Sequence, residues 1–153
     1  MREIIIASDH AGFALKEKLK VYLERIGLKV KDIGTYSKQR CDYPKFAYLL
    51  AKDISEKKFR RGILICKSGI GNSIVANRLP GVRAALCYNM TAARLSREHN
   101  DSNILVLGSA FVNLKLAKKI IGVWLKTEFQ GGRNRRRLDQ ITEIERKIRS
   151  KGK

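Results

Sequence analysis

Short apolar runs alternate along the chain with longer segments whose apolar residues repeat at helical spacing. The short runs are rich in β-branched residues and predict strands at Glu3–Ser8, Leu28–Ile33, Gly62–Cys66, Val82–Leu86 and Asn103–Leu107. An alternation of strands with helices is typical of a parallel sheet. The pattern therefore predicts an α/β fold, with an open, parallel five-stranded sheet and helices on both faces.

The longer segments predict the helices that connect these strands. They cover residues 13–26 with Gly27 as the end of the helix, Tyr43–Lys57, Asn72–Leu79, Thr91–His99 and Leu114–Thr127. After Gly131 and Gly132, an extra amphipathic helix is predicted from about Asn134 to Ser150, and it could pack on its own domain or reach a second subunit. We expect one domain over residues 1–149 and a disordered tail at residues 150–153.

Composition restricts the class of protein. The chain has 153 residues, of which 44% are hydrophobic and 31% charged, as in soluble globular proteins. No segment approaches the roughly 18 apolar residues of a membrane span, and the run Ile4–Ile6 predicts a first strand rather than an export signal. Cys41, Cys66 and Cys87 are odd in number and lack CxxC spacing, which argues against disulfides and zinc and indicates a reducing cytoplasm. We expect no metal and no cofactor.

The formal net charge of +19 raises the possibility of a nucleic-acid partner. Residues 131–153 contain nine Lys or Arg against three acidic residues, and the remaining excess is spread over the predicted helices. Aromatic residues do not interleave with this basic cluster, so the platforms on which bases stack are missing from the pattern. The sequence therefore argues against nucleic acid as the principal partner.

Polar and reactive residues follow several of the predicted strands. Asp9 and His10 follow the first, and Cys66 ends the third, just before the loop "KSGIGNS". Ligands of open parallel sheets bind beyond the carboxyl ends of the strands. Cys66 is either a small buried apolar residue or a thiol whose pKa is lowered by inward-facing loop amides. The second interpretation predicts a proton-abstraction site with an oxyanion hole.

Two further features are candidates for function. His99 closes a predicted helix, a position that supports a protonated imidazole, although a lone histidine is often only structural. Arg133 and Arg137 are four residues apart and share a helical face. They could clamp a phosphate or simply form a solvated basic surface.

Five blocks of the sequence together resemble a known family. They are "SDHAGFALK", "GTYSKQRCDYP", "GILICKSGIGNSIVANRLPGVRAALC", "LSREHNDSNILVLGS" and "FQGGRNRRR". In this order, from about residue 3 to residue 146, they are similar to type B ribose-5-phosphate isomerase and the lactose-pathway galactose-6-phosphate isomerases. The resemblance implies a Rossmann-like, metal-free aldose–ketose isomerase that interconverts ribose 5-phosphate and ribulose 5-phosphate. It also implies a homodimer or tetramer with shared active sites.

The resemblance implies a role for each matching residue. Cys66 matches the base that moves a proton between C1 and C2 of the sugar. An anion hole for the cis-enediolate matches Ser68 and the stretch Gly69, Ile70, Gly71, Asn72 and Ser73. Another branch of the family has a glutamate base at the position of Asn72. Because an amide cannot serve as a base, Cys66 is the candidate in this chain.

The remaining roles concern ring opening and the phosphate group. His99 resembles the residue that opens the furanose ring, with Asn100 beside it, and Asp9 resembles a contact to the sugar hydroxyls. The family's phosphate ligands match His10, Arg133 and Arg137.

The chain departs from the family pattern at three positions. Lys67 replaces a glycine, Asn134 replaces a histidine, and Ala110 replaces an arginine that helps to hold phosphate. Lys67 or the nearby Arg135 and Arg136 could compensate for Ala110. Otherwise the substrate is another sugar phosphate, such as allose or galactose 6-phosphate, or the chain is a catalytically weakened homologue that binds sugar phosphate or RNA.

Overall fold

Five parallel strands form the centre of the structure, a computed structural model that describes residues 2–152. In chain order the strands are β1 (Glu3–Ser8), β2 (Lys29–Asp32), β3 (Gly62–Cys66), β4 (Ala84–Leu86) and β5 (Ile104–Gly108). They lie side by side in the order β2-β1-β3-β5-β4, and every pairing is parallel. The predicted open parallel sheet of five strands is confirmed.

Six helices accompany the strands. They are α1 (Phe13–Arg25), α2 (Tyr43–Ser55), α3 (Ile70–Ala76), α4 (Met90–Glu98), α5 (Leu114–Lys126) and α6 (Arg133–Lys151). On one face of the sheet, Ile4 and Ile6 pack with residues of α1 and α5 such as Leu19 and Trp124. On the other face, Ile5 packs with residues of α2 and α3. Successive strand residues are therefore buried on opposite faces, which is why the central strands β3 and β5 are continuously apolar, whereas the edge strand β2 is not.

Several boundaries differ from the sequence prediction. Helix α3 begins at Ile70, two residues before Asn72, because Gly69 adopts a left-handed conformation (φ 84°) that turns the chain directly into the helix. It ends at Ala76, since the side chain of Asn77 bonds the main chain of Ala84 instead. Strand β4 begins at Ala84, because the Arg83 amide donates to a side-chain oxygen of Asn103. Strand β2 is shorter by one residue at each end.

The C-terminal helix α6 lies outside the two helix layers. It is anchored at Leu138, which is buried, and by the Glu145 carboxylate, which accepts hydrogen bonds from the Gly81 amide. Ser150 and Lys151, two residues of the predicted disordered tail, belong to α6, whereas Lys153 lies outside the described residues. Within residues 2–152 no helix is both long and apolar enough to span a bilayer.

The strand order places a crevice between β1 and β3. The connection from β1 leads to β2 on one side, whereas β3 lies on the other, and Ser8 of β1 pairs with Ile65 of β3. Where neighbouring strands send their connections in opposite directions, the carboxyl ends leave room for a ligand. The candidate site is therefore expected beside Asp9 and Cys66.

Candidate active site

A cavity of about 380 Å³ opens at this crevice. Cys66 is the last residue of β3, pairs with Gly108 of β5 and is only 4% exposed. The cavity is nevertheless lined by Cys66 together with Asp9, Tyr43, Lys67, Ser68 and Ile70. The thiol thus lies at the wall of a ligand-sized cavity and not within packed side chains alone.

The glycine loop after β3 holds the sulfur. The Gly69 amide donates to the Cys66 sulfur over 3.2 Å, and the Ser68 hydroxyl accepts from the Ile70 amide, also at 3.2 Å. A Cβ atom on Gly69 would lie 2.4 Å from a methyl group of Leu86, so a side chain does not fit there without rearrangement. The loop therefore requires glycine for its turn and for its close approach to β4.

Opposing effects set the pKa of the Cys66 thiol. Burial raises this pKa most strongly, the amides of Asn72, Gly69 and Ser68 lower it, and the Asp9 carboxylate raises it again. The net result is a raised pKa, so the sequence-based expectation of a lowered one is wrong. The loop amides are placed as predicted, but desolvation outweighs them. The neighbouring Lys67 side chain is exposed to solvent.

Asp9 and His10 lie at the same edge, after β1. The Asp9 carboxylate accepts a hydrogen bond from the Gly12 amide, at 3.1 Å, which orients it beside the cavity. The His10 ring is held through Nδ1, which lies 3.0 Å from the carbonyl oxygen and 3.2 Å from the amide nitrogen of Cys41. The loop between β2 and α2 thus fixes the imidazole.

Sequence reasoning missed two contributors to this part of the site. Tyr43, the first residue of α2, lines the cavity. Lys16, which is fully buried, binds the Asp32 carboxylate, whose other oxygen accepts from the Gly34 amide at the start of the loop. The only signal for Tyr43 was its place in the block "CDYP". Lys16 likewise ends the block "SDHAGFALK", but its burial was not expected, because a lysine on a predicted helix is ordinarily solvated.

His99, Asn100, Arg133 and Arg137 form a second group elsewhere in the chain. His99 follows the last turn of α4, which runs back towards the amino ends of the strands, and its amide donates to Leu95. The Gln130 amide bonds to Glu98, which brings the start of α6 beside this turn. His99 precedes β5, whereas Cys66 pairs with Gly108, the last residue of β5. The length of this strand, at least about 13 Å, therefore separates the group around His99 from Cys66.

The position of Ala110 adjoins the thiol loop. Its amide donates to the Lys67 carbonyl at 2.9 Å, so position 110 and Lys67 share one corner of the site. Arg135 instead lies at the start of α6, with its guanidinium 4.7 Å from the centre of the Phe129 ring. Of the residues considered as replacements for the missing arginine, Lys67 is the one next to Ala110 in this chain.

The site consists of a thiol and loop amides at the crevice between β1 and β3 of an open parallel α/β sheet, which is where proteins with such sheets bind their ligands. Residues 4–141 match the model of the family described as Ribose/Galactose Isomerase, and the chain belongs to this family as an isomerase. It is 43% identical over 147 residues to ribose-5-phosphate isomerase B of Escherichia coli (strain K12), covering 96% of this chain and 99% of that protein. The resemblance stated from the sequence blocks is confirmed.

Two solved structures are similar throughout. Ribose-5-phosphate isomerase B of Clostridium thermocellum is 48% identical, with a TM-score of 0.93 over 95% of this chain and 99% of that one. The enzyme of Mycoplasma genitalium with bound ribulose-5-phosphate is 40% identical, with a TM-score of 0.90 over 94% and 96% of the two chains. The Rossmann-like fold is confirmed by these neighbours.

Proposed function

We propose that the chain interconverts ribose 5-phosphate and ribulose 5-phosphate through a cis-enediolate, with Cys66 as the base. The observation that carries the proposal is the Cys66 sulfur at the cavity wall, with the amides of Ser68, Gly69 and Asn72 directed towards it. The E. coli relative is named for this pentose phosphate, and the M. genitalium structure contains ribulose-5-phosphate.

The proposed reaction moves one proton along the sugar. In the reaction from aldose to ketose, the Cys66 thiolate takes the proton from C2 of the open chain, and negative charge develops on the oxygen at C1. The Ser68 hydroxyl and the amides of residues 69–72 stabilise this oxygen, because they are oriented before the charge appears, whereas the Ser73 amide is already bonded to the Gly69 carbonyl. The thiol then returns the proton to C1, and the proton of the C2 hydroxyl moves to the oxygen at C1, giving the ketose.

The other residues act on the ring and the phosphate in this proposal. His99, with Asn100 beside it, opens the furanose ring, and Asp9 bonds sugar hydroxyls. His10, Arg133 and Arg137 bind the phosphate. Because His99 and Cys66 lie far apart within one chain, we propose that two chains share each site, in a homodimer or a tetramer.

Exposed apolar side chains support this assembly. Ile70 and Ile74 beside the cavity are 52% and 53% exposed, and Ile144 on α6 is 56% exposed. Apolar patches of this kind usually mark surfaces that are covered in an assembly. A second chain placed there would bring its α4 and α6 termini within reach of the thiol.

The first test is turnover of ribose 5-phosphate by Cys66→Ala. We expect turnover to fall by about 10²- to 10⁴-fold, because the proton acceptor is lost. Cys87→Ala is the matched control, since Cys87 is a buried thiol outside the cavity, and it should keep at least half of the activity. Equal activity of Cys66→Ala and the parent would rule out the thiol as the base.

A mixing experiment tests the shared site. Cys66→Ala and His99→Asn are each expected to be inactive alone. In mixed dimers, one of the two sites combines an intact Cys66 with an intact His99. Random reassembly of an equal mixture should therefore restore about a quarter of the parent activity. No recovery, with exchange of chains demonstrated by mass spectrometry, would place both residues in sites within single chains.

A phosphorylated hexose, such as allose or galactose 6-phosphate, is the second candidate substrate. Ala110 supports it, because an alanine leaves more room and one cation fewer beside Lys67 than an arginine would. Comparing kcat/KM for the three sugar phosphates decides between them. A weakened homologue that binds sugar phosphate or RNA would show little turnover of any of the three sugar phosphates, and little change in Cys66→Ala.

The three free cysteines support a reducing cytoplasm as the location.

A further inference from the structure

A second polar cavity, of about 410 Å³, lies at the amino ends of the strands, on the opposite edge of the sheet from Cys66. Its position follows from the residues that line it, because Arg61, Arg83 and Asn103 immediately precede β3, β4 and β5. Five cationic side chains line it, and Asp101 is its one carboxylate. We call this site the arginine cleft; its cations are Lys57, Arg60, Arg61, Arg83 and Arg97.

The described residues, 2–152, do not neutralise the positive charge of the arginine cleft. One oxygen of the Asp101 carboxylate accepts from Arg97 at 2.8 Å, and the other accepts from Arg83 at 3.2 Å. Lys57, Arg60 and Arg61 form no ion pair with any side chain of residues 2–152. Five cations against one carboxylate leave four uncompensated charges around one cavity.

Arg61 shows how firmly one of these cations is held. Its guanidinium donates to the carbonyl oxygens of Leu125 at 3.0 Å and Trp124 at 3.3 Å, and it lies 5.3 Å from the centre of the Trp124 ring. All of these partners are neutral. Burial lowers the pKa of Arg61 to about 10; the positive charges of Arg97 and Arg60 contribute to the lowering, and the Asp101 carboxylate opposes it. An anion in the cleft would relieve this repulsion.

Three of the five cations, Arg61, Arg83 and Arg97, are held in place by hydrogen bonds of their guanidinium groups, whereas Lys57 and Arg60 are exposed. Arg97 is 6% exposed and is also bonded to the Ser102 carbonyl at 2.6 Å. Lys57 follows α2 in a left-handed conformation (φ 60°), with its amide bonded to Ile54. Guanidinium groups held in a concave surface bind phosphate oxygens with little loss of conformational freedom.

We propose that the arginine cleft is a second anion site, which binds the phosphate group of a small phosphate-bearing ligand. A phosphate dianion would offset about half of the four uncompensated charges and supply acceptors for the guanidinium groups of Arg60 and Arg61, which line the cavity. The proposal is independent of the isomerase reaction, since the cleft and the thiol cavity share no residue.

The test is an NMR titration of the ¹⁵N-labelled full chain with inorganic phosphate and, separately, with adenosine monophosphate. Chloride keeps the ionic strength constant. The amide signals of Arg60, Gly81 and Asn103 report on the cleft and lie away from Cys66. We expect saturable shifts, and Arg61→Gln should weaken binding about tenfold or more, because it removes charge-assisted hydrogen bonds. Lys18→Gln, an exposed site on α1, should change the affinity less than twofold.

The outcomes separate clearly. Equal affinity for the two ligands assigns the cleft to free phosphate, whereas tighter binding of adenosine monophosphate assigns it to an organic phosphate. Shifts that stay linear with concentration, or equal weakening by Arg61→Gln and Lys18→Gln, would show general screening and overturn the proposal. So would shifts that appear only with an RNA oligonucleotide. If Arg61→Gln does not fold, Arg60→Gln gives the same comparison at an exposed side chain.

Discussion

The two edges of the sheet treat buried polar groups differently. At the carboxyl edge, Asn72 is 1% exposed, and neither atom of its side-chain amide has a hydrogen-bond partner. Behind the amino edge, the partners are complete. The Ser102 hydroxyl accepts from the Trp124 indole and pairs with the Ser96 hydroxyl, both at 2.8 Å, while Arg97 bonds Asp101 and the Ser102 carbonyl.

The hydrogen-bonded network behind the amino edge stabilises the fold, whereas the unpartnered amide at the carboxyl edge is left free to bind a ligand. A buried polar group without a partner costs free energy of folding, whereas a satisfied network stabilises. The unpartnered amide of Asn72 lies in the first turn of α3, directly after the loop that holds the Cys66 sulfur. A ligand in the cavity would need donors and acceptors there. The satisfied network instead holds the turn that carries His99 and Asn100.

The largest effect on stability is expected from Arg97→Met, which breaks the satisfied edge. It leaves one oxygen of the Asp101 carboxylate and the Ser102 carbonyl without their donor, so the free energy of unfolding should fall by about 3 kcal/mol. Urea denaturation of the parent and the variant measures this difference in the free energy of unfolding. Arg94→Met removes only an exposed pair with Glu98 and should cost less than about 1 kcal/mol. Equal losses in the two variants would contradict the distinction.

Alkaline pH should reveal the titration of Cys87, a buried thiol that, unlike Cys66, accepts no hydrogen bond from a main-chain amide of the described residues. Burial raises the pKa of Cys87 to about 11. The folded chain therefore keeps a proton that the unfolded chain releases at the ordinary thiol pKa. Stability is lost as the pH rises from that value to about 11. The parent should lose about 2 kcal/mol more than Cys87→Ala across this range. Parallel curves for the two proteins would show that Cys87 titrates normally.

A smaller, opposite effect is expected from Asn72→Leu at the carboxyl edge. Replacing an unsatisfied buried amide with an apolar side chain of similar size should raise the free energy of unfolding by about 1 kcal/mol. Asn77→Leu is the matched control, because its amide bonds both main-chain groups of Ala84. That variant should be destabilised. A loss of stability in Asn72→Leu would mean that its amide has partners in solution.

The smallest effect is expected from Lys67→Gly. Its ammonium is exposed to solvent, and screening weakens its action on the thiol. The acid limb of the pH profile of kcat/KM, which rises as Cys66 ionises, should keep its position within about 0.3 pH units. A larger shift towards high pH would show that Lys67 supports the thiolate.

Most of the fold followed from local patterns. Runs such as Ile4–Ile6 and Ile63–Ile65 predicted strands, because residues buried on both faces of a sheet must be apolar at consecutive positions. Boundaries that depend on side-chain contacts were predicted less well. Strand β4 begins late because the Arg83 amide bonds Asn103, twenty residues away, and no local pattern records that contact.

The site divides in the same way. The gathering of Asp9, His10 and Cys66 at one edge was predictable, since parallel strands all end on the same side. The raised pKa of the Cys66 thiol was not, because desolvation depends on what packs around the sulfur.

The sequence by itself determined the order of strands and helices, the edge at which the thiol lies and the family to which the chain belongs. All three depend on residue type and spacing along the chain. Only the tertiary structure decided that His99 lies far from Cys66 within one chain, and that cations distant in sequence converge on one cavity in which Asp101 is the one carboxylate. Distances and local charge depend on segments that are remote in sequence, and they exist only once those segments have packed together.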